Sequence, residues 1–188
     1  MTPDGLQYFA EVQIAYEVRT LFGQVVELLP RPRERWDPVY LALLEAPLVH
    51  LRALDDFLGL PAAVVKKRGH DDVVAQHYLP EWEPQPFLDD DVRKAINAQL
   101  QHLAERRETG YDWYFPIMCS QFIDEFTAFT DDLAAADRDE ERSRVEWFAE
   151  PIAICRIARA LSDDDIDGLF SAHGSQRAGP GDLPAPPR

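Results

Sequence analysis

The fold is decided by the stretch Asp37-Pro-Val-Tyr-Leu-Ala-Leu-Leu-Glu-Ala-Pro-Leu-Val-His-Leu-Arg-Ala-Leu-Asp-Asp-Phe-Leu-Gly59. Asp37 is a favoured N-cap, Pro38 is a favoured first helical residue, and Gly59 is typical of a helix end. Between these signals, apolar residues fall on nearly every side of a helix with about 3.6 residues per turn. A helix of this kind is surrounded by other helices. The stretch therefore predicts the central helix of an all-α bundle.

Four other segments also have the apolar spacing of helices. They cover about residues 4–29, 92–109, 112–133 and 142–161. No segment alternates between apolar and polar residues for long enough to indicate a strand. We therefore expect a five-helix bundle, in which residues 38–58 form the second helix.

The long segment between the second and third predicted helices, residues 60–88, has weak periodicity and several prolines. Long connections of this kind are uncommon and often functional when ordered. We expect it to be ordered, with a short helix near residues 71–78, and anchored to the bundle by Tyr78, Trp82 and Phe87. Residues 1–170 are predicted to form one domain, and the Pro/Gly-rich residues 171–188 a flexible tail, because they offer little apolar surface to bury.

The charge of the chain limits its partners. The sequence has 19 basic and 34 acidic residues, a formal net charge of -15. That charge repels phosphate backbones and argues against a nucleic-acid partner, since nucleic-acid binding depends on cationic contacts. Three small basic groups, near residues 31–35, 66–68 and 106–107, are expected to be solvated.

The expected location is the cytoplasm. The first residues lack the basic and apolar regions of a signal peptide, and no stretch is long and apolar enough for a membrane span. Cys119 and Cys155 both lie in apolar helical runs, which is typical of buried thiols in a reducing compartment.

His50 is the most informative polar residue, because it lies on an apolar face of the central helix with Leu54 and Phe57. A buried imidazole needs hydrogen-bond partners. We expect His50 to be buried, to bond to a polar group of another segment, and to border a pocket, with Gln99 and His102 as the best-placed partners. The residues predicted to line such a pocket are His50, Arg52, Asn97, Gln99 and His102. The alternative is a core histidine with a purely structural role.

Catalytic signatures are not readable in this sequence. It contains no Glu-x-x-His pair of the kind used by di-iron bundles, and His70 and His77 lack zinc-ligand spacing. Ser120 has no nucleophile-elbow motif, and Cys119 has no basic neighbour in sequence that would activate its thiol. We therefore predict no metal site and no cofactor, and leave open whether the chain is an enzyme.

Three strings together resemble the layout of short bacterial proteins of the HEPN-like helical-bundle group. They are Glu45-Ala-Pro-Leu-Val-His50-Leu-Arg52-Ala-Leu-Asp-Asp-Phe57, Asp71-Asp72-Val-Val-Ala-Gln-His-Tyr78-Leu-Pro-Glu-Trp82 and Ile96-Asn97-Ala-Gln-Leu-Gln-His102-Leu103. The resemblance covers under half of the chain. It implies a helical bundle, and HEPN ribonucleases carry an Arg-x(4–6)-His motif that acts on RNA. Here Arg93 and His102 have eight residues between them, which is outside that spacing, so no catalytic residue is carried over.

The sequence thus favours a helical-bundle protein that acts through an interface or a small pocket, with a protein partner, a second copy of itself or a small molecule as the ligand. One alternative is a HEPN-type ribonuclease or bacterial defence component with an altered site. The other is a metal- or cofactor-dependent enzyme that uses the inner histidines.

Overall fold

The computed structural model describes residues 2–31, 37–69, 71–101 and 113–161, and the regular secondary structure of these residues is helical, with no strand among them. The first helix is continuous over three segments: α1 (Pro3–Tyr8), a π-helical turn (Phe9–Ile14) and α2 (Ala15–Leu28). Thr2 caps its start, since the Thr2 hydroxyl accepts the Gly5 N–H at 3.2 Å.

The central helix α3 (Pro38–Gly59) begins and ends within one residue of its predicted bounds. The Asp37 carboxylate accepts the Val39 N–H at 2.9 Å, as expected of an N-cap. α3 packs against α2, α5 (Asp90–Gln101) and α6 (Phe115–Ala134). Its fully buried leucines are Leu48, Leu51, Leu54 and Leu58. The prediction that other helices pack around this helix holds for most of its second half, whereas Val39 and Val49 are 52% and 49% exposed.

The connection between α3 and α5 contains α4 (Ala62–Arg68) and a 3-10 turn (Ala75–His77). Its three predicted anchors, Tyr78, Trp82 and Phe87, are all buried, as expected. The Tyr78 hydroxyl donates to the Leu6 carbonyl at 2.8 Å, and Trp82 Nε1 donates to the Leu58 carbonyl at 3.0 Å. These bonds join the connection to α1 and to the end of α3.

The last helix is also built of contiguous segments: α7 (Asp139–Ser143), a 3-10 turn (Arg144–Phe148) and α8 (Ala149–Leu161). Its aromatic residue Phe148 lies in the centre of the core. The Phe148 ring centroid is 5.0 Å from that of Tyr78 and 5.5 Å from that of Phe129, both in edge-to-face geometry. Aromatic pairs prefer this arrangement, which aligns the positive ring edge with the negative face.

The five-helix count is wrong by one. When contiguous segments are joined, the described residues form six helices, and the additional one is α4. Its sequence Ala62-Ala-Val-Val-Lys-Lys-Arg68 has good helix formers, Pro61 precedes it, and Gly69 ends it in the left-handed conformation with φ 68°. The short helix expected near residues 71–78 is only the 3-10 turn. The predicted tail and the end of the third predicted helix lie outside the described residues.

Of the helices in the described ranges, none has the length and apolar character needed to cross a membrane.

Candidate interaction face and the polar clusters of the central helix

His50 of α3 bonds to Glu17 of α2. Its Nδ1 atom lies 2.5 Å from Glu17 Oε2, and the two side chains are 10% and 25% exposed. The ring of Tyr16 meets the imidazole edge-on, with centroids 5.8 Å apart. The prediction that His50 is buried and bonded to another segment is confirmed. The partner is in the first helix, however, whereas the sequence favoured Gln99 or His102.

Arg52 lies on the opposite side of α3, because two residues correspond to a rotation of about 200°. It pairs with Asp56 and lies 3.6 Å from Asp55 Oδ2. Arg93 of α5 reaches the same carboxylates, with Nε 3.2 Å from Asp55 Oδ2 and Nη2 3.2 Å from Asp56 Oδ1. Two cations and two anions therefore form a compact network between α3 and α5.

Asp55 is the buried member of this network and has no exposed surface. Its Oδ1 atom accepts the Leu88 N–H at 3.0 Å, where the long connection ends. Burial raises the pKa of Asp55, while the Leu88 hydrogen bond and the charges of Arg93 and Arg52 oppose that rise. The network joins the connection and α5 to the central helix, which is a structural role.

The other residues that were predicted to line a pocket do not lie together with His50. Gln99 of α5 donates to Glu45 of α3 at 3.4 Å, and Asn97 is half-buried on α5. His102 lies outside the described residues. The structure thus brings Arg52 and Gln99 to the seam between α3 and α5, whereas His50 lies against α2.

A surface depression of about 360 Å³ lies elsewhere on the described part of the chain. Its lining includes Leu79, Glu81, Asp137, Arg138 and Glu141, and none of the predicted pocket residues. Arg138 crosses it, because this side chain pairs with Glu81 at 3.2 Å and also with the buried Glu141. The depression is therefore already bridged by an internal ion pair.

The cysteines do not supply a nucleophile. Burial raises the pKa of both Cys119 and Cys155 to about 12, so both thiols are protonated near neutral pH. In the residues that the structure describes, no group of three or more His, Cys, Asp or Glu side chains could hold a metal ion.

An exposed row of large side chains was missed by the sequence analysis. Tyr8, Val12 and Tyr16 follow each other at intervals of four residues and are 58%, 43% and 52% exposed. Residues four apart are neighbours on a helix surface, so the three form one line, which we call the aromatic stripe. The π-helical turn Phe9–Ile14 lies within it, and such turns are frequent at functional sites. The four-residue spacing of Tyr8, Val12 and Tyr16 is the sequence feature from which this row could have been predicted.

The aromatic stripe ends beside the pair formed by His50 and Glu17, since Tyr16 contacts the imidazole. The charged side chains around it on its own helix are acidic. Residues 1–18 contain Asp4, Glu11 and Glu17 and no lysine, arginine or histidine. The first cation of the helix, Arg19, pairs with Glu150 of α8.

No protein-family model, curated protein or solved structure matches this chain.

Proposed function

We propose that the chain is an interaction protein that binds a partner protein through the aromatic stripe. The single observation that supports this function is the alignment of three large, exposed side chains on one continuous helix. Single exposed apolar residues are ordinary on protein surfaces, but contiguous apolar patches mark interaction sites. Tyrosine is also enriched in protein interfaces, where it gives large contact area at low entropic cost.

The polar clusters favour this function over catalysis. Arg52, Arg93, Asp55 and Asp56 neutralise one another, and the depression is bridged by Arg138. These groups have structural partners within the chain. The stripe, by contrast, has large apolar surface that the described part of the chain leaves exposed.

The ribonuclease alternative is less favoured. Arg93, the arginine that precedes His102 in sequence, lies within the network with Asp55 and Asp56 and is mostly buried. A direct check is RNA degradation by the purified protein and by its His102→Ala variant. The other alternative, a metal- or cofactor-dependent enzyme that uses the inner histidines, is also less favoured, because the imidazole of His50 is already bonded to Glu17. Metal analysis of the purified protein addresses that alternative.

The test of the proposal is isolation of the tagged protein from its native host in three forms. The stripe variant replaces Tyr8, Val12 and Tyr16 with serine. The control variant replaces Val26, Val39 and Ile117 with serine; these are also exposed, at 61%, 52% and 59%, but lie outside the stripe. We expect a stoichiometric partner with the wild type and the control variant, and its loss with the stripe variant. Retention of the same partner by the stripe variant would overturn the proposal.

A further inference from the structure

We infer that the partner of the aromatic stripe is a cationic, amphipathic helix of another protein, an inference that rests on the proposed function. Two properties of the stripe specify this chemistry: its length and its charge.

The length of the stripe matches a short helical segment. Tyr8 and Tyr16 are eight residues apart, which is about 12 Å along a helix axis. A helix of two to three turns covers that length with apolar residues at positions such as i, i+3, i+4 and i+7. Val12 lies in the middle and adds apolar contact between the two tyrosine rings.

The first turns of the helix that carries the stripe are negatively charged. Asp4 and Glu11 are exposed on the same helix, and Glu11 is oriented by Gln7, whose Nε2 donates to Glu11 Oε1 at 2.8 Å. The first cation in the sequence, Arg19, pairs with Glu150. A binding segment with lysine or arginine beside its apolar residues complements these carboxylates and approaches faster in the field of a chain with net charge -15.

The tyrosines add a second preference for cations. Both tyrosine residues are more than half exposed, so an ammonium or guanidinium group can approach their side chains. Such a cation is attracted by the negative face of the ring.

A second copy of this chain is a poorer occupant. In a two-fold symmetric contact, the same patch faces itself. If the two helices are parallel, the Asp4 and Glu11 carboxylates of one protomer approach those of the other, without a lysine, arginine or histidine in residues 1–18 to separate them. If they are antiparallel and cross at Val12, the two Glu11 carboxylates still lie near the centre of the contact. Like charges placed opposite each other disfavour that contact.

The experiment uses three synthetic helical peptides of about 14 residues, a length of about four turns. All carry leucine at the same positions, and the remaining positions are lysine, glutamine or glutamate. Binding of each is measured by fluorescence anisotropy to the wild-type protein, the stripe variant and the control variant defined above. The variants keep the net charge, so unspecific attraction of the lysine peptide is equal in all three.

We expect the lysine peptide to bind the wild type and the control variant alike, and the stripe variant about tenfold or more weakly. The double variant Asp4→Asn/Glu11→Gln should bind the lysine peptide several-fold more weakly than the wild type does, and should bind the glutamine peptide with unchanged affinity. Should the triple stripe variant melt at a lower temperature, Tyr8→Ser alone carries the comparison, since Tyr8 is the most exposed of the three.

Two outcomes overturn the inference, and they have different consequences. If the glutamine peptide binds as tightly as the lysine peptide and depends on the stripe, the partner is not cationic, while the proposed docking face stands. If the lysine peptide binds all variants equally, its binding is unspecific and the stripe has no preference for cationic helices. The proposed function itself fails only if the native partner is retained by the stripe variant.

Discussion

The Nδ1 atom of His50 lies 2.5 Å from the Oε2 atom of Glu17, so the central helix and the first helix are joined by a polar contact beside the ring of Tyr16. Both side chains are mostly buried. A buried polar group that loses its partner costs the free energy of its desolvation, which is larger than the net gain from the bond.

His50→Leu is therefore expected to lower the free energy of unfolding by about 1–3 kcal/mol, because Glu17 is left without its partner. The double variant Glu17→Leu/His50→Leu should recover part of this loss, since no carboxylate remains unpaired. Urea denaturation of the wild type, both single variants and the double variant gives the coupling between the two residues. If the two single substitutions change the unfolding free energy by amounts that sum to the change in the double variant, His50 and Glu17 do not interact directly.

Asp55→Asn should destabilise the chain more than an exposed polar substitution does. The change keeps an acceptor for the Leu88 N–H but places an NH2 group, in place of the other carboxyl oxygen, beside Arg52 and Arg93, and a buried polar group without a partner costs about 1–3 kcal/mol. Asp91→Asn, whose side chain is 93% exposed, is the matched control and should change stability by less than about 0.5 kcal/mol. Equal stability of the two variants in chemical denaturation would refute the role given to this network.

The same residue gives a prediction for pH. Burial raises the pKa of Asp55 above its ordinary value, so the folded chain holds this proton more tightly than the unfolded chain does. The contribution of Asp55 to stability is therefore full below the pKa of the unfolded chain, about 3.9, and is lost as the pH rises through the folded pKa. The difference in unfolding free energy between wild type and Asp55→Asn should widen as the pH falls from 7 towards about 4. If the difference in unfolding free energy narrows over this pH range, the pKa of Asp55 is lowered and not raised in the folded chain.

Gly59→Ala tests how closely the connection approaches the end of α3. A Cβ atom at Gly59 would lie 2.7 Å from Pro86 Cα and 2.8 Å from Pro86 N, so the backbone must shift. We expect a loss of about 1–3 kcal/mol in unfolding free energy, as for other overpacked sites. Gly23→Ala is the control, because nothing lies within 4 Å of its Cβ position in α2. That variant should gain about 0.5–1 kcal/mol. If the Gly59→Ala protein is more stable than the wild type, the backbone at Pro86 shifts at little cost in free energy.

The sequence predicted those features that depend on local signals. α3 was bounded correctly because Asp37, Pro38 and Gly59 act within one turn of the helix ends. α4 was missed because residues 60–88 were interpreted as a long connection with weak periodicity, although Gly69 in the left-handed conformation ends a helix there.

The candidate site was less accessible to sequence reasoning. The burial of His50 followed from its apolar neighbours, but its partner depends on how α2 is rotated against α3, which no local pattern specifies. The π-helical turn changes that rotation within the first helix and has no sequence signature. Tyr8, Val12 and Tyr16 have a readable four-residue spacing, but the same spacing is typical of a buried helix face, so the sequence alone does not show that they are exposed.

The claim that the aromatic stripe binds a partner protein is tested most directly by photo-crosslinking in the native host. A photoreactive phenylalanine replaces Val12 in the middle of the stripe, and Ile157 of α8, which is 62% exposed, in a control. We predict one discrete adduct from position 12, absent from position 157 and lost when Tyr8 and Tyr16 are also changed to serine. Equal adducts from both positions, or none from position 12, would contradict the account.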